Sequence, residues 1–310
     1  MVAYPFAYSP ASTRPANVEY DKLLRRLLRE GVPVSPQQES GAYMILGHQM
    51  RFNILADGFP IITQRDLVTP SKKTGRSIFS QAIGELCAFL NGVYTQEGLK
   101  RFGCHWWGSW VTKEKCEKRN LSTGDLGPGS YGPAWTTFPT SEGVPFDQIH
   151  HVIEQIKELP HLRTHFVSPW IPQYIGRGEG KQQRVVVAPC HGWLHFVVFP
   201  AQGRISLHHF QRSADVPVGL VANLIQYAAL LLMVAQVTGY TPWELVYTLS
   251  DAHYYSGQEE AIRLMLKQPL RPFCTVTLDG QKDINDFRSE HFHVSDYHPT
   301  HASFRIPTPV

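Results

Sequence analysis

Pro189-Cys190-His191 is followed, two short strands later, by Gln211-Arg212-Ser213-Ala214-Asp215 and then by Gly219-Leu220-Val221-Ala222-Asn223. Together these residue types can do one kind of work. Cys190 offers a thiol whose anion adds to electron-poor carbon. Arg212 offers a cation to hold that anion ionised, and Ser213 a hydroxyl donor for an oxyanion. Asn223 offers a carboxamide, which donates and accepts and so can read O4 and N3–H of a uracil. C5 of uracil is a poor nucleophile until a thiolate adds at C6; it then becomes an enolate carbon able to attack an electrophilic one-carbon unit. A free thiol, with a pKa near ~8.5, is mostly protonated at neutral pH, so Cys190 needs a neighbouring cation. Taken singly, Cys190 reads as a small buried apolar residue and Arg212-Ser213 with Asp215 as a surface ion pair. Their conjunction favours chemistry. The other cysteines, Cys87, Cys104, Cys116 and Cys274, have no comparable neighbours and read as structural.

The elements that must position these groups follow from periodicity. Residues 1–16 read as an arm and 17–310 as one catalytic domain. Val18–Arg29 has helical spacing, as do Ser77–Leu90, Phe146–Leu159, Val216–Thr238 and Gly257–Leu266. Gly47–Ile54 and Phe59–Thr63 alternate like strands, with Asp57-Gly58 as a hairpin turn. Thr164–Pro169, Arg184–Ala188, Trp193–Phe199, Arg204–Phe210, Trp243–Leu249 and Cys274–Leu278 also read as strands. Residues 103–145 are loop-rich, which inside a compact chain often marks function. The expected fold class is α+β: one domain, a mixed or antiparallel sheet and a long buried central helix.

The chain has 310 residues, 43% of them hydrophobic, with a formal net charge of +3. That excludes a disordered chain and argues against nucleic acid as the main partner. The opening residues lack a basic and then apolar leader, so no secretory signal is expected. Val216–Val237 carries Asn223, Gln226 and Gln236 and reads as a core helix, not a membrane span. Five irregularly spaced cysteines point to a reducing, cytoplasmic setting. Without a CxxC pair, Cys104-His105 and Cys116 do not make a zinc site, and no metal is expected.

Further motifs accompany the cysteine: Gly47-His48-Gln49-Met50-Arg51-Phe52, Gly84-Glu85-Leu86, Trp107-Gly108-Ser109-Trp110, Gly124-Asp125-Leu126-Gly127-Pro128 with Tyr131-Gly132 and Trp135, and Asp251-Ala252-His253-Tyr254-Tyr255. Their order and spacing over most of the chain resemble the thymidylate synthase family. The resemblance implies that Cys190 is the nucleophile, with His191 beside it among the catalytic residues, and that Arg212 polarises Cys190 and binds phosphate. It implies that Ser213 and Arg163 also bind phosphate and that Asn223 selects the base as dUMP. His253 and Tyr255 would hold the sugar hydroxyl, and Glu85 and Tyr131 would move the C5 proton. Trp107 and Asp215 would bind 5,10-methylenetetrahydrofolate, the expected co-substrate. It also implies a homodimer, because Arg163 has its family role only in a neighbouring subunit.

The chain departs from the family in places. Gln37 stands at a usual arginine, and Thr164 replaces the second of two adjacent arginines. Arg177, Lys181 and Arg184, or Lys72, Lys73 and Arg76, are then the substitutes for the missing charge. Val221-Ala222 replaces Pro-Phe, Gly257-Gln258 replaces Asn-His, and Gly129-Ser130 lengthens a loop. The apolar ending, Ile306–Val310, is like the family's closing tail. The expected activity is dUMP methylation to dTMP with release of dihydrofolate. The alternatives are a dUMP hydroxymethylase, in which water captures the methylene, and a nucleotide- or RNA-binding relative without catalysis.

Overall fold

In the computed structural model, which describes residues 6–35 and 41–309, alternating runs form a six-stranded sheet. Its strands are β1 (Val32–Val34), β2 (Ala42–Asn53), β3 (Phe166–Val167), β4 (Trp193–Phe199), β5 (Arg204–Asp215) and β6 (Thr241–Tyr255), in spatial order β1-β2-β6-β5-β4-β3. Neighbours are antiparallel except β5 and β6, which run parallel. A parallel pair needs a crossover, and the helix Gly219–Thr238 supplies it. Two further strands, β7 (Thr275–Leu278) and β8 (Phe292–Ser295), pair antiparallel on their own.

The crossover helix is apolar on every side, and each residue from Leu220 to Ala235 is buried. Such a helix has no solvent face and becomes the core. By length and composition it could cross a membrane, but here most of it is enclosed by protein. It packs against β5, β6 and the helix Ile78–Leu90. Ser77 and Ser80 start that second helix with a reciprocal capping box. Gly84 lets the following loop approach: a Cβ there would lie 2.1 Å from the Phe102 carbonyl oxygen. The result is the α+β fold expected, with a mixed sheet and one buried central helix.

Three expectations are corrected. Asp57-Gly58 is not a hairpin turn: Ile54–Asp57 forms one helical turn with Asn53 as its cap, and Gly58 leaves it at φ 103°. Residues 59–63 are not a strand; Phe59, Ile61 and Ile62 are buried, and only Phe59 bridges to Cys274. Residues 184–188 are extended without a ladder. The Val186 amide donates to Leu126 O (3.0 Å) and the Gly129 amide to Arg184 O (3.3 Å), so this stretch satisfies its backbone on loops. β5 and β6 run further than the apolar pattern indicates, through Asp215 and Tyr255. β1 and β8 were not anticipated. In the arm, the Ser9 amide bonds Leu55 O (2.8 Å), and Arg14 reaches Phe273 O and Thr275 Oγ1 (3.0 and 2.7 Å). Gln37 lies outside the described residues.

Candidate active site

Cys190 lies just before β4, where the turn at Gly192 (φ 98°) brings it beside the end of β5. The Arg212 amide donates to Cys190 O (2.8 Å), locking the two segments together. The Arg212 guanidinium donates from Nε to Pro189 O (2.7 Å) and from Nη2 to Ala188 O (2.8 Å) and Cys190 Sγ (3.3 Å). Nη1 has no partner among the described residues. The guanidinium also lies 5.7 Å from the ring centroid of Trp170. The cation is therefore aimed at the sulfur, as expected, but it does not win at rest. Burial raises the Cys190 thiol above its ordinary range, and Arg212 only partly offsets this.

Tyr131 accepts the Cys190 amide proton on its hydroxyl (2.8 Å), which leaves its own O–H to donate elsewhere. Burial holds that phenol far above its ordinary pKa, so it keeps its proton. His191 stacks on the Tyr131 ring (4.4 Å between centroids) and pairs through Nδ1 with the Tyr227 hydroxyl. Burial lowers His191 to about 3, so it is neutral. His209 accepts the Gly192 amide on Nε2 (2.9 Å), which places its proton on Nδ1, a buried atom without a partner among the described residues. Its ring stacks on Tyr227 at 3.6 Å.

A chain of amides runs from β6 to the glutamate. Tyr247 donates to Gln211 Oε1, and Gln211 Nε2 donates to Asn223 Oδ1 (3.1 Å). Asn223 Nδ2 donates to Gln226 Oε1 (2.9 Å), and Gln226 Nε2 to Glu85 Oε2 (2.7 Å). This uses one acceptor site and one hydrogen of Asn223 and leaves the others for a ligand. Glu85 is buried rather than solvent-facing. Its Oε1 accepts from Trp106 Nε1 (2.5 Å), Trp107 Nε1 and Cys104 Sγ (3.7 Å). Burial still raises its pKa despite four donors. Cys104 is thus a donor to Glu85, a neighbour that sequence spacing does not reveal.

β5 and β6 in parallel register bring Ser213 opposite Asp251 and Asp215 opposite His253. Ser213 Oγ donates to Asp251 Oδ2 (3.0 Å), and His253 Nδ1 pairs with Asp251 Oδ1 (2.9 Å). His253 and Tyr255 share a face of β6, their rings 5.2 Å apart. Asp215 is largely buried. Its Oδ2 accepts from Gln258 Nε2 (3.0 Å), while Oδ1 has no donor among the described residues. Burial raises it to about 6. Trp107 is half-buried, edge-on to Phe89 at 6.3 Å. Arg163 and Thr164 are exposed, away from this cluster's hydrogen bonds. Of the substitute cations, Arg177 bonds Gln183 Oε1 (2.8 Å) and Arg184 lies over the Tyr174 ring, while Lys72, Lys73 and Lys181 are exposed.

Sequence reasoning gave no role to Gln211, Gln226, Asp251, Gln258 or Trp170. Gln226 carried a usable signal: a glutamine on a helix apolar all round, three residues after Asn223 and so on the same face. Gln258 carried none, because Gly257-Gln258 reads as an ordinary helix start. Among the described residues no three His, Cys, Asp or Glu side chains converge on a metal position. The family model described as Thymidylate synthase matches residues 18–308.

Proposed function

The chain belongs to the thymidylate synthase family, whose members transfer a one-carbon unit from methylenetetrahydrofolate to C5 of dUMP, and from that premise we propose that this protein completes the transfer to dTMP, releasing dihydrofolate. The observation that carries the reading is Arg212 Nη2 at 3.3 Å from Cys190 Sγ, together with an Asn223 amide fixed by Gln211 and Gln226 on the central helix that packs against β5.

The residues account for the steps on the nucleotide. The Cys190 proton passes to solvent before addition, and Arg212 stabilises the sulfur anion that remains. Addition at C6 turns that anion into a neutral thioether and moves the charge to O4, where the free Asn223 N–H donates. The charged, buried sulfur is therefore short-lived, which reconciles a raised resting pKa with nucleophilic work. Arg212 Nη1 serves the phosphate, joined by Ser213 when its hydroxyl turns from Asp251, and His253 and Tyr255 serve the sugar. Asn223 cannot turn its amide over to suit cytosine without breaking both neighbouring bonds, so dUMP is favoured over dCMP. Tyr131 relays the C5 proton through its hydroxyl toward the Glu85 carboxylate, which accepts it; burial, by raising the Glu85 pKa, makes that carboxylate the stronger base. His191, neutral and stacked on Tyr131, holds that phenol in place.

Methylenetetrahydrofolate, when bound, supplies the one-carbon unit and the hydride that reduces it to a methyl group. The residues fit such a molecule. Asp215 Oδ1 is a buried acceptor without a donor, suited to the N–H edge of a pterin, and Trp107 offers a ring fixed through its own N–H. Trp107 and the apolar C-terminal tail, with Ile306 buried, support a water-poor site and so hydride capture over hydroxylation. The missing phosphate charge is assigned to Arg177, Lys181 and Arg184, next to the segment that leads into Cys190, ahead of Lys72, Lys73 and Arg76. Alanine at the first set should raise the KM for dUMP more than alanine at the second.

The active form is a twofold dimer. Arg163 is exposed, and the apolar side chains Phe166 and Phe210 lie exposed on β3 and β5. A partner sheet would cover them and bring its own Arg163 to the phosphate. A cytoplasmic location fits the five unpaired cysteines, four of them buried. The deciding experiment incubates the protein with dUMP and methylenetetrahydrofolate, then records the nucleotide mass and dihydrofolate absorbance. dTMP with dihydrofolate is expected. Hydroxymethyl-dUMP with tetrahydrofolate would replace this reading by the hydroxymethylase. No turnover and no covalent adduct with a fluorinated dUMP would leave a binding protein.

A further inference from the structure

Gln258 follows β6 directly and is completely buried. Its carboxamide joins three separate parts of the chain. Oε1 accepts from the Tyr255 amide (2.9 Å), which fixes the side chain to the end of β6. Nε2 donates one hydrogen to Asp215 Oδ2 (3.0 Å) at the end of β5 and the other to Pro307 O (2.7 Å) in the C-terminal tail. Both N–H bonds are used, and in opposite directions: one toward the carboxylate, one toward the tail.

The tail reaches this point along a defined track. The Thr300 amide bonds Thr63 O (2.8 Å), and the Asp66 amide bonds His301 O (2.9 Å). The Phe304 ring lies 5.9 Å from the guanidinium of Arg65, which itself donates to Pro217 O (2.7 Å). Ile306 is buried. Beyond Ile306, the Pro307 carbonyl is the tail's attachment to the β5–β6 end, and Gln258 is the attaching residue. Asp215 meanwhile keeps Oδ1 buried and unpartnered. One oxygen is held by Gln258 while the other is presented.

We infer that Gln258 is a positioning residue: it orients Asp215 so that Oδ1 meets the N–H edge of the folate pterin, and it docks the C-terminal tail against the same carboxylate. The inference rests on the folate reading of Asp215 given above. An amide can do this because it carries two N–H groups at a fixed angle; a side chain with one donor cannot serve both partners. The groups facing Asp215 are Tyr20 from the N-terminal helix Glu19–Glu30, Arg65 from the segment beneath the tail, and His253 and Tyr255 from β6. Arg65 and His253 lower the Asp215 pKa, as Gln258 does by its hydrogen bond, against the larger effect of burial.

The test uses the full chain and the variants Gln258→Leu and Gln258→Glu. Leucine removes all three bonds. Glutamate keeps the acceptor for the Tyr255 amide but loses both donations and sets a second carboxylate against Asp215. Both variants should raise the KM for methylenetetrahydrofolate roughly tenfold or more, the scale of a lost hydrogen bond to a buried carboxylate, with the Kd for dUMP changed by less than about twofold in Gln258→Glu, which keeps the Tyr255 bond. In the wild type, kcat/KM for folate should fall as pH drops through the Asp215 value of about 6. That inflection should move upward in Gln258→Leu and further in Gln258→Glu, and carboxypeptidase should trim the tail faster in both. A merely structural glutamine would give no shift of the inflection, with Gln258→Glu closer to wild type than Gln258→Leu; that result overturns the inference while leaving the enzyme reading intact. A wild-type protein that neither binds nor consumes the folate overturns both.

Discussion

At Cys190 two effects oppose each other. Burial favours the thiol and the Arg212 guanidinium favours the anion, and burial is larger. The function of Arg212 is then tied to its fork: Nε and Nη2 are anchored on two carbonyls while the same Nη2 faces sulfur. A lysine brings a point charge without that anchoring. Arg212→Lys is expected to slow adduct formation with fluorinated dUMP by roughly a hundredfold, the scale of losing an anchored charge contact. The buried histidines make a separate, pH-dependent contribution. His209 folds neutral, its pKa pushed well below the ordinary value by burial. Unfolded, it ionises near ~6.5, so below that pH the unfolded chain binds more protons and native stability falls as pH falls. Asp215 has the opposite sign: folded at about 6 against an ordinary 3.8, it retains a proton in the native state, so its contribution grows as pH drops through 6. His209→Leu is expected to lose less stability than wild type between pH 7 and pH 5, read from urea midpoints at both.

The elements place these groups through a few tight backbone positions. Gly192 turns at φ 98°, and a Cβ there would lie 2.9 Å from the Trp135 ring. Gly192→Ala is expected to lower stability by about 2 kcal/mol or more and to abolish the covalent adduct, because Cys190 and His191 precede it directly. Thermal melting and adduct mass measure the two effects. Much of this was legible beforehand. The strict alternation of Trp193–Phe199 and the mostly apolar run after Gly219, broken by Asn223, Gln226 and Gln236, each favour one packing. Val185-Val186-Val187 looked like a strand for the same reason, but nothing in composition says that its partners are the loop carbonyls and amides of Leu126 and Gly129. The β6 pattern is broken by Ser250-Asp251, which interrupt its apolar run; Asp251 faces the site, where polarity is the requirement. The cysteine, arginine and asparagine were legible because each carries chemistry of its own. The glutamines were not, because a carboxamide becomes meaningful only through what it joins.

The whole molecule presents a sheet with exposed Phe166 and Phe210, and an exposed Arg163 just before β3; in the reading proposed above, the site's own chain supplies Arg212 and Ser213 to the phosphate. If the partner's arginine completes it, two inactive variants have complementary defects. Mixing Arg163→Ala with Cys190→Ala and allowing subunits to exchange should restore activity well above either alone, since one of the two sites then has both groups. Light scattering should give twice the chain mass. A different consequence follows from β2, which pairs along its length with β6, Ala42 opposite Tyr255 and Asn53 opposite Glu244. A ribosome making this chain releases β2 long before its partner exists. The strand must wait, paired only with short β1 over Ala42–Met44 and prone to wrong associations, until the last quarter of the protein emerges. Pairings so distant in sequence close slowly. Refolding from urea should therefore be slow and concentration-limited in yield, and a fragment ending before Thr241 should aggregate.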